Sequence, residues 1–186
     1  MPFLNTAFSG VWIYEPPVFQ DDRGYFFESY NEEVFLRQKI NLIFVQDNQS
    51  FSKYGVIRGL HFQSEPHAQS KLVRVLQGRI LDVIVDIRKG SPNFGQSLSI
   101  ELSAENKKQL LIPKGYAHGF STLSETAEVL YKCDHFYNKS SESGIIFNDP
   151  ELRVDWKIPK GQEIVSEKDF QLPCLADCTT NFVFAE

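Results

Sequence analysis

Short runs in which apolar and polar residues alternate, separated by Gly, Pro, Asn and Asp, dominate the chain. Alternate residues of a strand face the same side, so this period-two pattern predicts half-buried strands in an antiparallel barrel or sandwich. The predicted strands cover 10–14, 25–28, 45–51, 56–63, 71–77, 79–88, 96–102, 109–112, 119–123, 127–137 and 145–147. One helix is predicted over 31–38, where Asn31 can cap and Glu32 and Glu33 meet the positive end of the helix dipole; it would cover one barrel edge. Gln77-Gly78 reads as a turn joining the two long strands around it, because glycine takes the positive φ that hairpins need. That pairing would keep Lys71 and Asp86 on adjacent strands, and 56–63 and 71–77 likewise read as neighbours.

Parity says which side chains can share a cavity. In 79–88, Leu81, Val83, Val85 and Ile87 form one apolar face, while Asp82, Asp86 and Arg88 lie among Ile80 and Ile84 on the other. One side should pack a core and the other should meet polar surroundings. In 127–137, Val129, Tyr131, Cys133, His135 and Tyr137 share a face. If that strand stays regular, Tyr131 and Tyr137 lie roughly 20 Å apart, at about 3.3 Å per residue. Arg58 and His61 have opposite parity, so both line one site only if the strand is irregular; Gly59 between them is a natural place for a bulge.

At 186 residues and 42% hydrophobic content, the chain is expected to form a single domain over 1–186 around an ordinary core. No run approaches the roughly 20 apolar residues of a membrane span, and Met1-Pro-Phe-Leu-Asn5 lacks the basic start and apolar core of a secretory signal. A cytoplasmic location is therefore expected. Three cysteines, Cys133, Cys174 and Cys178, form no CxxC pair and fit a reducing compartment; a Cys174–Cys178 clamp on the tail is the less favoured alternative. A net charge of −5 without a basic tract argues against nucleic acid and anionic membranes as partners. An anionic ligand would have to meet locally concentrated arginines and lysines.

Such a concentration exists. Gly55-Val-Ile-Arg-Gly-Leu-His61-Phe-Gln63 and Ala68-Gln-Ser-Lys-Leu-Val-Arg74 bring a histidine, a lysine and two arginines onto two strands. Imidazole titrates near neutral pH and becomes a general base when a carboxylate fixes its tautomer, which makes His61 the first candidate. Lys71 shares a face with Val73 and Val75, so it should project into the barrel, where an ammonium can stabilise an oxygen that becomes an enolate. Tyr131, protonated at neutral pH, can act as a general acid. Taken singly, each has an ordinary alternative: a hydrogen-bonded core histidine, a solvated lysine, a packed tyrosine.

These segments, with Asp82-Val-Ile-Val-Asp-Ile-Arg-Lys-Gly-Ser-Pro-Asn-Phe-Gly95, Ile112-Pro-Lys-Gly-Tyr-Ala-His-Gly-Phe120 and Leu130-Tyr-Lys132, resemble the dTDP-4-dehydrorhamnose 3,5-epimerase family of nucleotide-sugar epimerases. The resemblance runs from about 24 to 169. It implies an all-β, antiparallel double-sheet jelly roll, a cupin-like barrel with a few short peripheral helices. It also implies a dTDP-sugar substrate epimerised next to a C4 ketone, for the dTDP-L-rhamnose that enters cell-surface polysaccharide. In that family a Leu-Ser-x-Lys-Asp pattern carries the carboxylate that partners the base. Val165-Ser-Glu-Lys-Asp169 matches it, so Asp169 would orient His61.

By the same resemblance Tyr131 returns a proton from the opposite side of the sugar and Tyr137 stacks on thymine. Arg23 and Arg58 would bind the diphosphate or its neighbourhood, and Glu28, Gln46 and Asn48 the nucleotide. Glu142 and Lys168 would make outer contacts, and His118 would line the site near the sugar. The family forms homodimers in which an N-terminal strand reaches the neighbouring subunit's site, and Phe26 and Phe27 beside Arg23 and Glu28 are compatible with that. One departure is Ser70, where glycine often precedes the lysine; it matters if the position needs a positive φ. The tail after Asp169 carries no motif.

The usual cupin metal site needs two histidines one residue apart. Here Phe62 and Gln63 follow His61, and His67 is the next histidine, so no metal is expected. Gly-x-Ser-x-Gly, Gly-x-Gly-x-x-Gly and P-loop motifs are absent, and no cofactor is expected. Three other readings remain: an epimerase acting at C3 or C5 alone, a ketoisomerase relative, and a non-catalytic nucleotide-sugar binding protein.

Overall fold

The computed structural model describes residues 2–185. In chain order the elements are β1 (Phe3–Asn5), β2 (Trp12–Tyr14), β3 (Phe19–Asp21), β4 (Gly24–Phe26), α1 (Glu32–Arg37), β5 (Gln46–Lys53) and β6 (Ile57–Gln63). There follow β7 (Lys71–Gln77), β8 (Arg79–Asp86), β9 (Ser97–Ser103), β10 (Gln109–Ile112), β11 (Tyr116–Thr122), β12 (Thr126–Cys133), β13 (Glu142–Gly144) and α2 (Glu167–Phe170). One sheet has the order β1-β2-β10-β7-β12-β5, the second β13-β6-β11-β8-β9, and β3 and β4 form a separate hairpin. Every strand pairing in them is antiparallel, which is the double-sheet jelly roll that the alternating pattern and the resemblance led us to expect.

Between the sheets, Val73, Val75, Leu110, Ala127 and Val129 of the first meet Ile80, Ile84, Leu102 and Phe120 of the second. Behind the second sheet, Leu81, Val83, Val85 and Ile87 pack with Ile145, Phe147, Trp156 and Phe182 of the C-terminal segment. The expectation that β8 has one polar-facing side is thus corrected, because both faces are core. Its buried aliphatic side chains, each worth roughly 1.5–3 kcal/mol, outweigh the burial of Asp82 and Asp86 on the inner face. Outside the first sheet, Phe35 of α1 packs with Phe3, Tyr14, Leu72 and Leu111. Asn31 caps α1 as expected, its side chain accepting from the Glu33 N–H at 3.0 Å.

The Gln77-Gly78 turn is not a hairpin. It carries the chain from β7 in the first sheet to β8 in the second, so Lys71 and Asp86 are not on adjacent strands. A Cβ on Gly78, which has φ +76°, would meet the Thr126 carbonyl at 2.0 Å, so glycine serves a corner here as readily as it would a hairpin. For the same reason β6 and β7 are not neighbours; they lie in facing sheets. Strand 127–137 stops at Cys133, which removes the premise for a 20 Å spacing of Tyr131 and Tyr137. At 145–147 the expected strand is instead β13, just upstream. Ile145 still exchanges backbone hydrogen bonds with Leu60 at 2.9 and 3.0 Å.

The irregularity expected at Gly59 is present. His118 pairs with His61 while Phe120 pairs with Arg58, so β6 holds one extra residue against β11. Ser70 does not adopt a positive φ, and its N–H donates to Asp134 Oδ1 at 2.6 Å, so its departure from glycine leaves Lys71 where the strand puts it. All three cysteines are unpaired. No helix among the described residues is long and apolar enough to cross a membrane.

Candidate active site

Two cavities, of about 560 and 310 Å³, share His61, Lys71 and Tyr131 in their walls. His61 comes from β6 in the second sheet, whereas Lys71 and Tyr131 come from β7 and β12 in the first. The extra residue at Gly59 lets Arg58 and His61 line the larger cavity together. Also in its wall are His118, Lys168 and Asp169. The smaller cavity is lined by Gln46, Asn48, Tyr137 and Glu142.

His61 Nε2 lies 2.7 Å from Asp169 Oδ1, which leaves Nδ1 for other chemistry. Asp169 sits in α2, where Ser166 Oγ accepts from the Asp169 N–H at 3.1 Å, and the Gly59 N–H donates to Oδ2 at 3.4 Å. Burial alone would raise the Asp169 carboxyl, but the hydrogen bond and charge of His61, with the Gly59 and Ser166 contacts, hold it below the ordinary aspartate range. It is therefore a carboxylate at neutral pH. Helix α2 was missed in the sequence, although Ser166 three residues before Asp169 is a usable capping signal.

Lys71 Nζ lies 5.8 Å from the centroid of the Tyr131 ring. Burial pushes its ammonium below the ordinary lysine range, while Cys133, Asp82 and Glu142 pull the other way. Burial likewise raises the Tyr131 phenol, assisted by Cys133 and opposed by Arg58, so this group holds its proton at neutral pH. Cys133 was read only as a redox marker. Paired with Lys71 across β12 and β7, it accepts a hydrogen bond on Sγ from Asn48 at 3.6 Å.

In the smaller cavity the Tyr137 hydroxyl donates to Glu142 Oε2 at 2.8 Å, and Lys168 Nζ holds Glu142 Oε1 at 2.7 Å. The Tyr137 N–H donates to Gln46 Oε1 and Gln46 Nε2 donates to Asn48 Oδ1, both at 2.9 Å. Burial would raise Glu142, but the Lys168 and Tyr137 hydrogen bonds hold it below the ordinary range. Arg58 donates to Ser52 Oγ at 3.0 Å and to the Phe51 carbonyl at 3.2 Å. His118 Nε2 lies 2.6 Å from Asp82 Oδ1, a partner not read from the sequence.

Arg23 and Glu28 are not brought into either cavity within one chain. The Arg23 side chain is 90% exposed on the β3–β4 hairpin and pairs with Asp21, and Glu28 accepts from Asn31 at 3.2 Å. Gln63 and Gln69 line the smaller cavity without having been singled out.

Facing sheets around an interior that carries a histidine–carboxylate pair, a buried ammonium and a protonated phenol define a cupin-like barrel equipped for proton transfer. The family model described as dTDP-4-dehydrorhamnose 3,5-epimerase matches residues 5–177, and the chain belongs to that family. It is 52% identical over 178 residues to dTDP-4-dehydrorhamnose 3,5-epimerase of Salmonella typhimurium (strain LT2), spanning 94% of this chain and 96% of that protein. Among solved structures, the dTDP-4-dehydrorhamnose 3,5-epimerase of Elizabethkingia anophelis NUHP1 is 53% identical with a TM-score of 0.90, covering 94% of this chain and 96% of that one. The dTDP-6-deoxy-D-glucose-3,5-epimerase of Legionella pneumophila Philadelphia 1, in complex with dTDP-4-keto-L-rhamnose, is 45% identical with a TM-score of 0.91, covering 95% and 94%.

Proposed function

We propose that the chain epimerises dTDP-4-dehydro-6-deoxy-D-glucose at C3 and C5 to dTDP-4-dehydro-L-rhamnose. The observation that carries this reading is the presence of His61 and Tyr131 on opposite sheets, facing the same cavity, with Lys71 beside Tyr131. The C4 ketone acidifies the C–H bonds on both sides. His61 Nδ1 takes the proton, the C–H electron pair moves into the ring bond, and negative charge develops on the C4 oxygen beside Lys71. The Tyr131 hydroxyl then delivers a proton to the other face of the same carbon. His61 returns its proton to solvent and tyrosinate recovers one, so the cycle balances with proton transfers alone and calls for no cofactor. The second centre repeats these steps.

Tyr137, Gln46 and Asn48 would hold the nucleotide, with Arg58 at the diphosphate and Glu142 and Lys168 at the rim. Arg23 and Glu28 would act in a neighbouring subunit of a homodimer. In support, Phe19, Tyr25 and Phe26 of their hairpin are 64, 60 and 66% exposed, an apolar surface suited to a partner. The 186 residues would work as one unit in the cytoplasm. Incubation of the protein with the substrate in D₂O tests the reaction: the C3 and C5 proton signals should both disappear. Loss of one alone would make this an epimerase of a single centre. Retention of both while the ligand binds would remove the catalytic reading.

A further inference from the structure

Two carboxylates on the inner face of β8 are fully buried, and they are treated very differently. Asp86 is satisfied at both oxygens: Arg88 donates to Oδ1 from its backbone N–H at 3.0 Å and from Nε at 2.9 Å. Its Oδ2 accepts from Arg88 at 2.5 Å and from Ser91 at 2.7 Å. That is a structural carboxylate. Asp82, four residues earlier and 0% exposed, holds His118 Nε2 at 2.6 Å through Oδ1, yet its Oδ2 is buried with no hydrogen-bond partner among the described residues. Leaving a buried carboxylate oxygen unpaired is unfavourable unless nearby positive charge compensates.

The compensating charge is at hand. His118 lines the larger cavity, and its Nδ1 has no hydrogen-bond partner among the described residues. Its strand neighbour across β11 and β6 is His61. Lys71 lines the same cavity and forms no ion pair among the described residues, and Asp82 is one of the acidic groups that favour its charged form. A histidine–carboxylate pair therefore stands beside His61–Asp169, one deep in the barrel and one held by α2 at the cavity wall.

We infer that Asp82 is a positioning residue for the reaction proposed above: its carboxylate, 2.6 Å from Nε2, fixes the His118 ring with Nδ1 toward the cavity where the enolate oxygen forms, and it sets a negative charge near Lys71. The inference rests on that reading of the reaction. The other titratable groups around them are Tyr131 and Cys133 from β12, Glu142 from β13, His61 and Arg58 from β6, and Lys168 and Asp169 from α2.

The test is Asp82→Asn, which keeps shape and removes charge, with kcat and KM followed against pH and dTDP affinity measured in parallel. Asp82 is one of the charges that favour the ammonium form of Lys71, so its loss should move the alkaline limb of kcat to lower pH. At neutral pH kcat should fall roughly 10- to 100-fold, no more than loss of a direct oxyanion donor, with dTDP affinity unchanged because the nucleotide is held elsewhere. A lower kcat or lower stability with the alkaline limb unmoved would make Asp82 merely structural and overturn the inference. Should Asp82→Asn fail to fold, His118→Asn carries the same expectation for kcat and dTDP affinity, and wild-type kcat in that variant would overturn it. Wild-type deuterium exchange is run alongside: if it is absent, the epimerase reading fails and this inference with it, whereas wild-type exchange with an unaffected Asp82→Asn profile sinks this inference alone.

Discussion

Replacing His61 with alanine is expected to lower turnover by about 10³-fold, within the range that general base catalysis supplies, while dTDP affinity stays near that of the wild type. The ring is held from one side only, by Asp169 at 2.7 Å, and its other nitrogen is left for the substrate. Asp169 is ionised at neutral pH, so it favours the imidazolium that forms when the proton is taken. Gln46, Asn48 and Tyr137, proposed above to hold the nucleotide, bond among themselves and make no hydrogen bond to His61, which is why binding should survive. Steady-state kinetics with dTDP titration checks this. Near wild-type proton exchange by His61→Ala would show that another group is the base.

Gly59→Ala should be severely damaging. A Cβ at Gly59 would lie 2.4 Å from Gly119 Cα and 2.9 Å from the His118 carbonyl, which are backbone atoms that cannot swing aside. The residue also has φ +129°, where an L side chain is strained. Overpacking and backbone strain each contribute about 1–3 kcal/mol, so a loss of about 3 kcal/mol or more is expected in chemical denaturation. Any folded fraction should be nearly inactive, because pushing β6 from β11 disturbs the irregularity that puts Arg58 and His61 in one cavity. Wild-type stability would mean that the close approach of Gly59 and Gly119 is not needed.

The Gly59 irregularity was legible because two residues of opposite parity had to meet, and glycine was the one residue between them suited to a bulge. Pairing partners were not legible. Alternation reports which face a side chain takes and nothing about which strand lies alongside, so Gly78 read as a hairpin when it is a corner between sheets. Strands β1 and β3 escaped because β1 buries only its first residue and β3 none, so neither shows an alternation. Asp169 was found through its neighbours in sequence, yet the helix that holds it is only four residues and shows no period. Asp82 was placed on the polar-facing side of its strand, and its partner His118 lies 36 positions away, so only the fold joins them. Arg23 and Glu28 were named from a resemblance to proteins that pair, and within one chain they stand outside the site.

In the proposed reaction labour is divided across the cavity, with proton removal by His61 on one sheet and return by Tyr131 on the other. Tyr131→Phe in D₂O, with the C3 and C5 protons and the epimerised product of dTDP-4-dehydro-6-deoxy-D-glucose followed together, tests it most directly. His61 remains open to solvent, its side chain 32% exposed, so it can trade its proton for deuterium and give it back on the same face. Both proton signals should still decay while epimerised product falls by about 10²-fold or more. Undiminished product would contradict it, as would loss of proton exchange along with product in a variant that still binds dTDP.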